Sequence, residues 1–238
     1  MKKINVLKPK FRTEEILETI RECLDKGWTG MGFKTEEFEN AWKDYTDLPN
    51  SHFISSNTVG LHLALNVFKK KNGWEDGDEI ITTPLTFIST NHSIMYERLK
   101  PVFADVDKSL CLDPKSVESK ITNKTKAIIY VGIGGNTGQL EEIQSICKKH
   151  NLKLILDAAH MAGTKIKNIF GGMGYTTEHV GKQADVTVFS FQAVKNLPTA
   201  DSGMICFKDK EDDKLARKLS WLGINKDTFN RSTQGSYK

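Results

Sequence analysis

What this 238-residue sequence lacks narrows its reading first. No apolar stretch approaches the roughly 20 residues that a membrane-spanning helix needs. None follows the basic opening MKKINVLKPKF either, so that opening is not read as a signal peptide. The four cysteines (Cys23, Cys111, Cys147, Cys206) form no CxxC pair and no metal-ligand cluster. The expectation is therefore reduced thiols in a cytoplasmic protein, with no metal and no membrane. Cys147 falls on the apolar face of IQSICKK, where a buried structural thiol is expected before a reactive one. Neither charge sign dominates: 34 basic and 30 acidic residues are spread along the chain, for a net charge of +4. A nucleic-acid partner is not expected, because no basic face is concentrated anywhere. Repeats, low-complexity tracts and linkers are also missing.

What is present is ordinary globular composition, 38% hydrophobic and 27% charged, in a chain long enough to bury a full core. The segments alternate between two periods. TEEILETIRECLDKG carries Ile16, Leu17, Ile20, Cys23 and Leu24 on a helical stripe closed by Gly27. TEEFENAWKDY is a second amphipathic helix, with Phe38, Trp42 and Tyr45 facing the core. HFISS reads as a strand leading into the helix NTVGLHLALNVFKK, which opens with Asn57 or Thr58 as N-cap. EIITT, PVFAD, KAIIYV, KLILD, VTVFSF and GMICF read as further strands, with helices at FISTNHSIMYERL and LEEIQSICKKH. Continuous apolar strands of this kind are buried on both faces, as in a mostly parallel sheet covered by helices. GMICF, close behind VTVFSF, could pair with it in the antiparallel sense. RSTQGSYK ends without a closing element, so a C-terminal small domain is expected to be absent from this chain.

An open α/β sheet binds ligands at the carboxyl ends of its strands, and three of these ends are polar. HFISS runs into Asn57-Thr58 at a helix start, where free N–H groups and the helix dipole favour a phosphate, or where the residues are simply a cap. KLILD ends in Asp157, followed by Ala158, Ala159 and His160. A carboxylate there needs a partner or a solvated cap position, and a protonated ring nitrogen would serve. VTVFSF leads into QAVKN, which sets Ser190 five residues before Lys195. Desolvation lowers a lysine toward the free amine that imine formation requires. A lone lysine after a strand is ordinarily a solvated surface residue, and only the combination with the other two strand ends gives it weight. VGIGGNTG follows a strand but lacks the lysine–hydroxyl pair of a phosphate loop and is read as a flexible connection. The glycines of FGGMGY are read as a lid or excursion.

In order and spacing these segments resemble the sugar aminotransferases called the DegT/DnrJ/EryC1/StrS family. The segments that carry the resemblance are GWTGMGFKTEEFENAW, GDEIITTPLTFISTNHSI, KPVFADVD, ITNKTKAIIYV, KKHNLKLILDAAHMAGT and ADVTVFSFQAVKN. The resemblance implies the large domain of a fold-type I, pyridoxal 5′-phosphate-dependent transferase, preceded by a helical segment, over residues 1–238. It implies that Lys195 holds the cofactor as a Schiff base and moves the substrate proton. Asp157 would pair with the pyridine nitrogen, His160 contact the 3′-oxygen, and Phe87 stack on the ring. Asn57, Thr58 and Ser190 would bind the phosphate. Asn57 stands where members usually carry glycine, so its side chain either narrows the approach to the phosphate or adds a hydrogen bond. The implied reaction moves an amino group, from glutamate as donor, to a keto group of a nucleotide-linked deoxysugar destined for surface polysaccharide or lipopolysaccharide. The implied assembly is a homodimer with the site at its interface. Dehydratases of the family carry histidine in place of the Schiff-base lysine, so Lys195 argues against that chemistry, and the full catalytic set argues against an inert binding homologue.

Overall fold

In the computed structural model, which describes residues 9–169 and 175–224, strands and helices alternate through the middle of the chain, over residues 50–157. Two helices lead in, α1 (Thr13–Asp25) and α2 (Phe33–Thr46). Strand β1 (Asn50–Ile54) then runs almost directly into α3 (Asn57–Asn72). The same step recurs from β2 (Glu79–Thr82) to α4 (Ile88–Tyr96), from β3 (Lys100–Phe103) to α5 (Pro114–Ser119), and from β4 (Thr125–Val131) to α6 (Leu140–His150). A hairpin of β6 (Lys165–Ile169) and β7 (Tyr175–His179) follows β5 (Lys153–Asp157), and the described residues close with β8 (Val186–Ser190), β9 (Gly203–Phe207) and α7 (Lys210–Leu219).

Seven strands form one sheet in the order β1-β9-β8-β5-β4-β2-β3. β8, β5, β4, β2 and β3 are mutually parallel, while β9 is antiparallel to both β8 and β1. GMICF is thus the expected antiparallel partner of VTVFSF, paired from Val186↔Phe207 to Ser190↔Gly203. The apolar strands are explained by two cores, one on each face. Ile128, Tyr130, Leu154 and Leu156 pack on the side of α2 and α6, with Trp42, Ile143 and Cys147. Ala127, Ile129, Ile155 and Val188 pack on the side of α3 and α4, with Leu61, Leu65, Phe68 and Ile94. Alternate residues of one strand therefore enter different cores, and the polar residues buried among them, such as Thr82 and Thr187, are hydrogen-bonded. Cys147 is buried as expected, and burial pushes its thiol up to about 12.

One expectation is corrected. Tyr45 is 54% exposed, although its ring touches Trp42 and His179. Gly27, with φ +64, closes helix α1 just beyond its end, as expected, and the helix buries none of its residues. The polar hairpin β6–β7 and the short α5, without a long apolar run, gave no strand or helix signal in the sequence. The glycine-rich stretch at 170–174, the opening eight residues and the RSTQGSYK end lie outside the described residues. Among the described residues no helix is long and apolar enough to cross a membrane.

Edge strand β1 is fastened by charge. Arg217 of α7 reaches Glu39 of α2 at 3.0 Å and donates to the Ser51 carbonyl at 2.7 Å. Burial alone would raise the Glu39 carboxyl, but hydrogen bonds from His52, the Phe53 amide and Arg217 bring it down to about 2.

Candidate active site

The polar strand ends predicted from sequence converge because β4, β5 and β8 are adjacent and parallel, so their carboxyl ends share one edge. Asp157 closes β5 and is only 4% exposed. Burial raises its pKa, against hydrogen bonds that favour the charged form. Those bonds come from Thr90 Oγ1 to Oδ2 at 2.8 Å, the Ala159 amide at 3.3 Å and Asn57 Nδ2 at 3.2 Å, both on Oδ1. A buried carboxylate so held by neutral donors still lacks a cation.

Thr90 escaped sequence reasoning. It lies 67 residues from Asp157, in the segment GDEIITTPLTFISTNHSI, which carried the family resemblance without singling Thr90 out, and the fold brings the two together. Its hydroxyl also meets that of Thr86 at 2.9 Å, which ties the turn bearing Phe87 to the carboxylate. Phe87 precedes α4 and is 78% exposed, so its ring faces open space.

Helix α3 begins where β1 ends. Its N-cap is Ser56, not Asn57 or Thr58: the Ser56 hydroxyl accepts from the Val59 amide at 3.3 Å. The expected role of the Asn57 side chain changes as well. Both its amide protons are committed, one to Asp157 and one to the Val188 carbonyl at 3.0 Å, so its share in binding an anion falls to its backbone. Thr58 is half-buried in the first turn. Gly203, in register with both Ser190 and Ile54, lets the strands close up beside this helix start; a Cβ there would lie 2.6 Å from the Phe189 carbonyl and 3.0 Å from the Asn57 nitrogen. Ser190 is thereby held at the level of the α3 N-terminus, buried, with its hydroxyl 3.4 Å from the Gln192 amide.

Lys195 follows β8 on a turn closed by its own amide to the Gln192 carbonyl at 2.8 Å. It is half-buried, and burial lowers its pKa while Asp157 opposes that shift. Its Nζ lies 3.0 Å from His160 Nε2. The His160 pKa is lowered, first by burial and then by Lys195. Its Nδ1 accepts from the Gly134 amide at 3.1 Å, a contact that the loop reading of VGIGGNTG did not foresee.

This donor set suits pyridoxal phosphate. It offers an amine depressed toward its free form, a buried acid needing a cationic nitrogen, an open aromatic face, and a helix N-terminus beside a serine for phosphate.

Comparison with known proteins points the same way. Residues 10–237 match the DegT/DnrJ/EryC1/StrS aminotransferase family. The chain is 36% identical to the spore coat polysaccharide biosynthesis protein SpsC of Bacillus subtilis over 231 residues, covering 96% of this chain and 56% of SpsC. The PLP-form of the putative sugar aminotransferase Spr1654 from Streptococcus pneumoniae superposes with a TM-score of 0.83 at 27% identity, over 99% of this chain and 60% of that one. DesI, solved in the presence of its TDP-sugar product, gives a TM-score of 0.79 at 26% identity, over 94% of this chain and 52% of that one. The chain thus spans little more than half the length of the curated relatives it matches. It belongs to the DegT/DnrJ/EryC1/StrS aminotransferase family.

Proposed function

We propose, with that membership as the premise, that the chain is the cofactor-binding part of a cytoplasmic pyridoxal phosphate-dependent aminotransferase. Its reaction places an amino group from glutamate on a keto carbon of a nucleotide-linked deoxysugar, for surface polysaccharide or lipopolysaccharide. The observation that carries this reading is the meeting of Lys195, His160 and Asp157 at adjacent strand ends. The SpsC name, with its polysaccharide role, and the DesI structure with a TDP-sugar product support the substrate class.

When bound, the cofactor supplies an aldehyde that captures amines and a cationic ring that takes up an electron pair. The remaining work belongs to the chain. Lys195 Nζ would hold the cofactor covalently and, once released from it, would carry the proton taken from the donor's Cα. Asp157 keeps the ring nitrogen protonated, and a cation beside it offsets the burial that raises its pKa. Thr90 and Asn57 keep that carboxylate oriented. His160 donates toward the 3′-oxygen, Phe87 covers a ring face, and Thr58, Ser190 and the first amides of α3 receive the phosphate. A homodimer with the site at its interface is supported by Leu85, Ile88, Met95 and Tyr96, which lie exposed on and before α4, next to Phe87.

The test is the full-length protein incubated with pyridoxal phosphate, glutamate and a panel of nucleotide ketosugars. An aminated sugar with 2-oxoglutarate supports the reading, and loss of water without amine transfer overturns it in favour of a dehydratase. Lys195→Ala is expected to abolish turnover, since a positioned proton carrier alone contributes about 10²–10⁴-fold. Near-normal transamination by that variant contradicts the assignment.

A further inference from the structure

The loop after β4 reaches the His160 side chain through a backbone amide, which constrains where the protons of the His160–Lys195 pair can sit. Gly134 N–H donates to His160 Nδ1 at 3.1 Å, while His160 Nε2 stands 3.0 Å from Lys195 Nζ. A neutral imidazole carries one N–H. With the Nδ1 lone pair occupied by the amide, that proton sits on Nε2, and Nε2 can only donate. Nζ opposite must then offer a lone pair, which an ammonium lacks. The reverse arrangement, with an ammonium donating to Nε2, would strip His160 of every proton.

We propose that the Gly134 amide is a tautomer lock: it fixes His160 as an Nε2–H donor, and His160 in turn holds Lys195 as the free amine that can attach to the cofactor's aldehyde. This rests on the functional reading above and adds to it a positioning role for a backbone group outside the expected site. The loop is built to hold that amide. Gly134 has φ +61 and Gly135 φ +84, left-handed positions that favour glycine. Thr164 pins the loop by donating to the Gly135 carbonyl at 3.1 Å. Burial lowers both members of the pair; Lys195 adds to the lowering of His160, and Asp157 opposes the lowering of both.

The experiment uses the full chain, purified with and without pyridoxal phosphate. In ¹⁵N-histidine NMR of the cofactor-free chain, His160, assigned by its loss in His160→Gln, is expected to be protonated at Nε2 and bare at Nδ1. A through-hydrogen-bond coupling from Nδ1 to the Gly134 amide is expected with it. Acetylation of Lys195 at neutral pH, read by peptide mass spectrometry, is expected to slow about tenfold in His160→Ala, the effect of a one-unit rise in the amine's pKa. His160→Gln, whose side-chain NH₂ can donate, restores most of the rate. Protonation at Nδ1, or a Lys195 acetylation rate unchanged in His160→Ala, overturns the lock. Covalent retention of pyridoxal phosphate on Lys195 is scored separately. A chain that retains it while failing these tests sinks the lock alone, and a chain that passes them without retaining it supports the lock while sinking the wider reading.

Discussion

Asp157 shows how a single residue can serve chemistry against stability. Its pKa is raised by burial, so the native state holds its proton more tightly than the unfolded chain does. Between the ordinary carboxyl value, about 4, and the raised native one, stability contributed by this group falls as pH rises. Thermal unfolding of the cofactor-free chain should therefore show wild type losing ground to Asp157→Asn from mildly acidic to neutral pH. Adding pyridoxal phosphate should reverse the order, because the ring nitrogen then neutralises the carboxylate. A difference in Tm between the two proteins that is flat with pH and untouched by the cofactor would contradict this account. At this scale the sequence was partly legible. Asp157, Ser190 and Lys195 stand at the ends of recognisable strands, so their neighbourhood could be foreseen. Thr90 and the Gly134 amide could not, because each contact joins segments that only the folded sheet brings together.

Among the elements, α3 shows why the helices sit so close to the sheet. Gly60 lies buried on its inner face, and an added Cβ would fall 2.4 Å from both Ile54 Cδ1 and Val188 Cγ1. Alanine is the better helix former by about 1 kcal/mol, yet overpacking of this kind costs about 1–3 kcal/mol. Gly60→Ala is therefore predicted to lower stability in denaturant titration and, by pushing α3 outward, to weaken phosphate binding. A stabilised variant would show that the helix has room to move. Elements with nearly continuous apolar runs were legible because both faces of a central strand are buried, leaving few polar positions, such as Thr187 in β8, to blur the pattern. The hairpin β6–β7 was not, since its polar residues carry neither period. The α3 cap was placed one or two residues late, at Asn57 or Thr58, because Ser56, Asn57 and Thr58 are all good N-cap types and only the backbone decides among them.

For the whole molecule, α1 is the telling case. Its stripe of Ile16, Leu17, Ile20 and Leu24 was legible as an amphipathic helix, and the helix is there, yet the stripe is not buried within this chain: the four are 41–61% exposed. Periodicity reports that a face seeks a partner and not where the partner is. Ile20→Gln should accordingly change the stability of this chain by less than about 0.5 kcal/mol. A larger loss in denaturant titration would mean that α1 is packed in solution after all.

The central claim concerns Lys195, and covalent chemistry tests it most directly. The full chain is incubated with pyridoxal phosphate, reduced with borohydride, digested and mapped by mass spectrometry. The account predicts the reduced pyridoxyl phosphate group on the peptide bearing Lys195 and its loss in Lys195→Ala. A group fixed to another lysine, or to none, would contradict it.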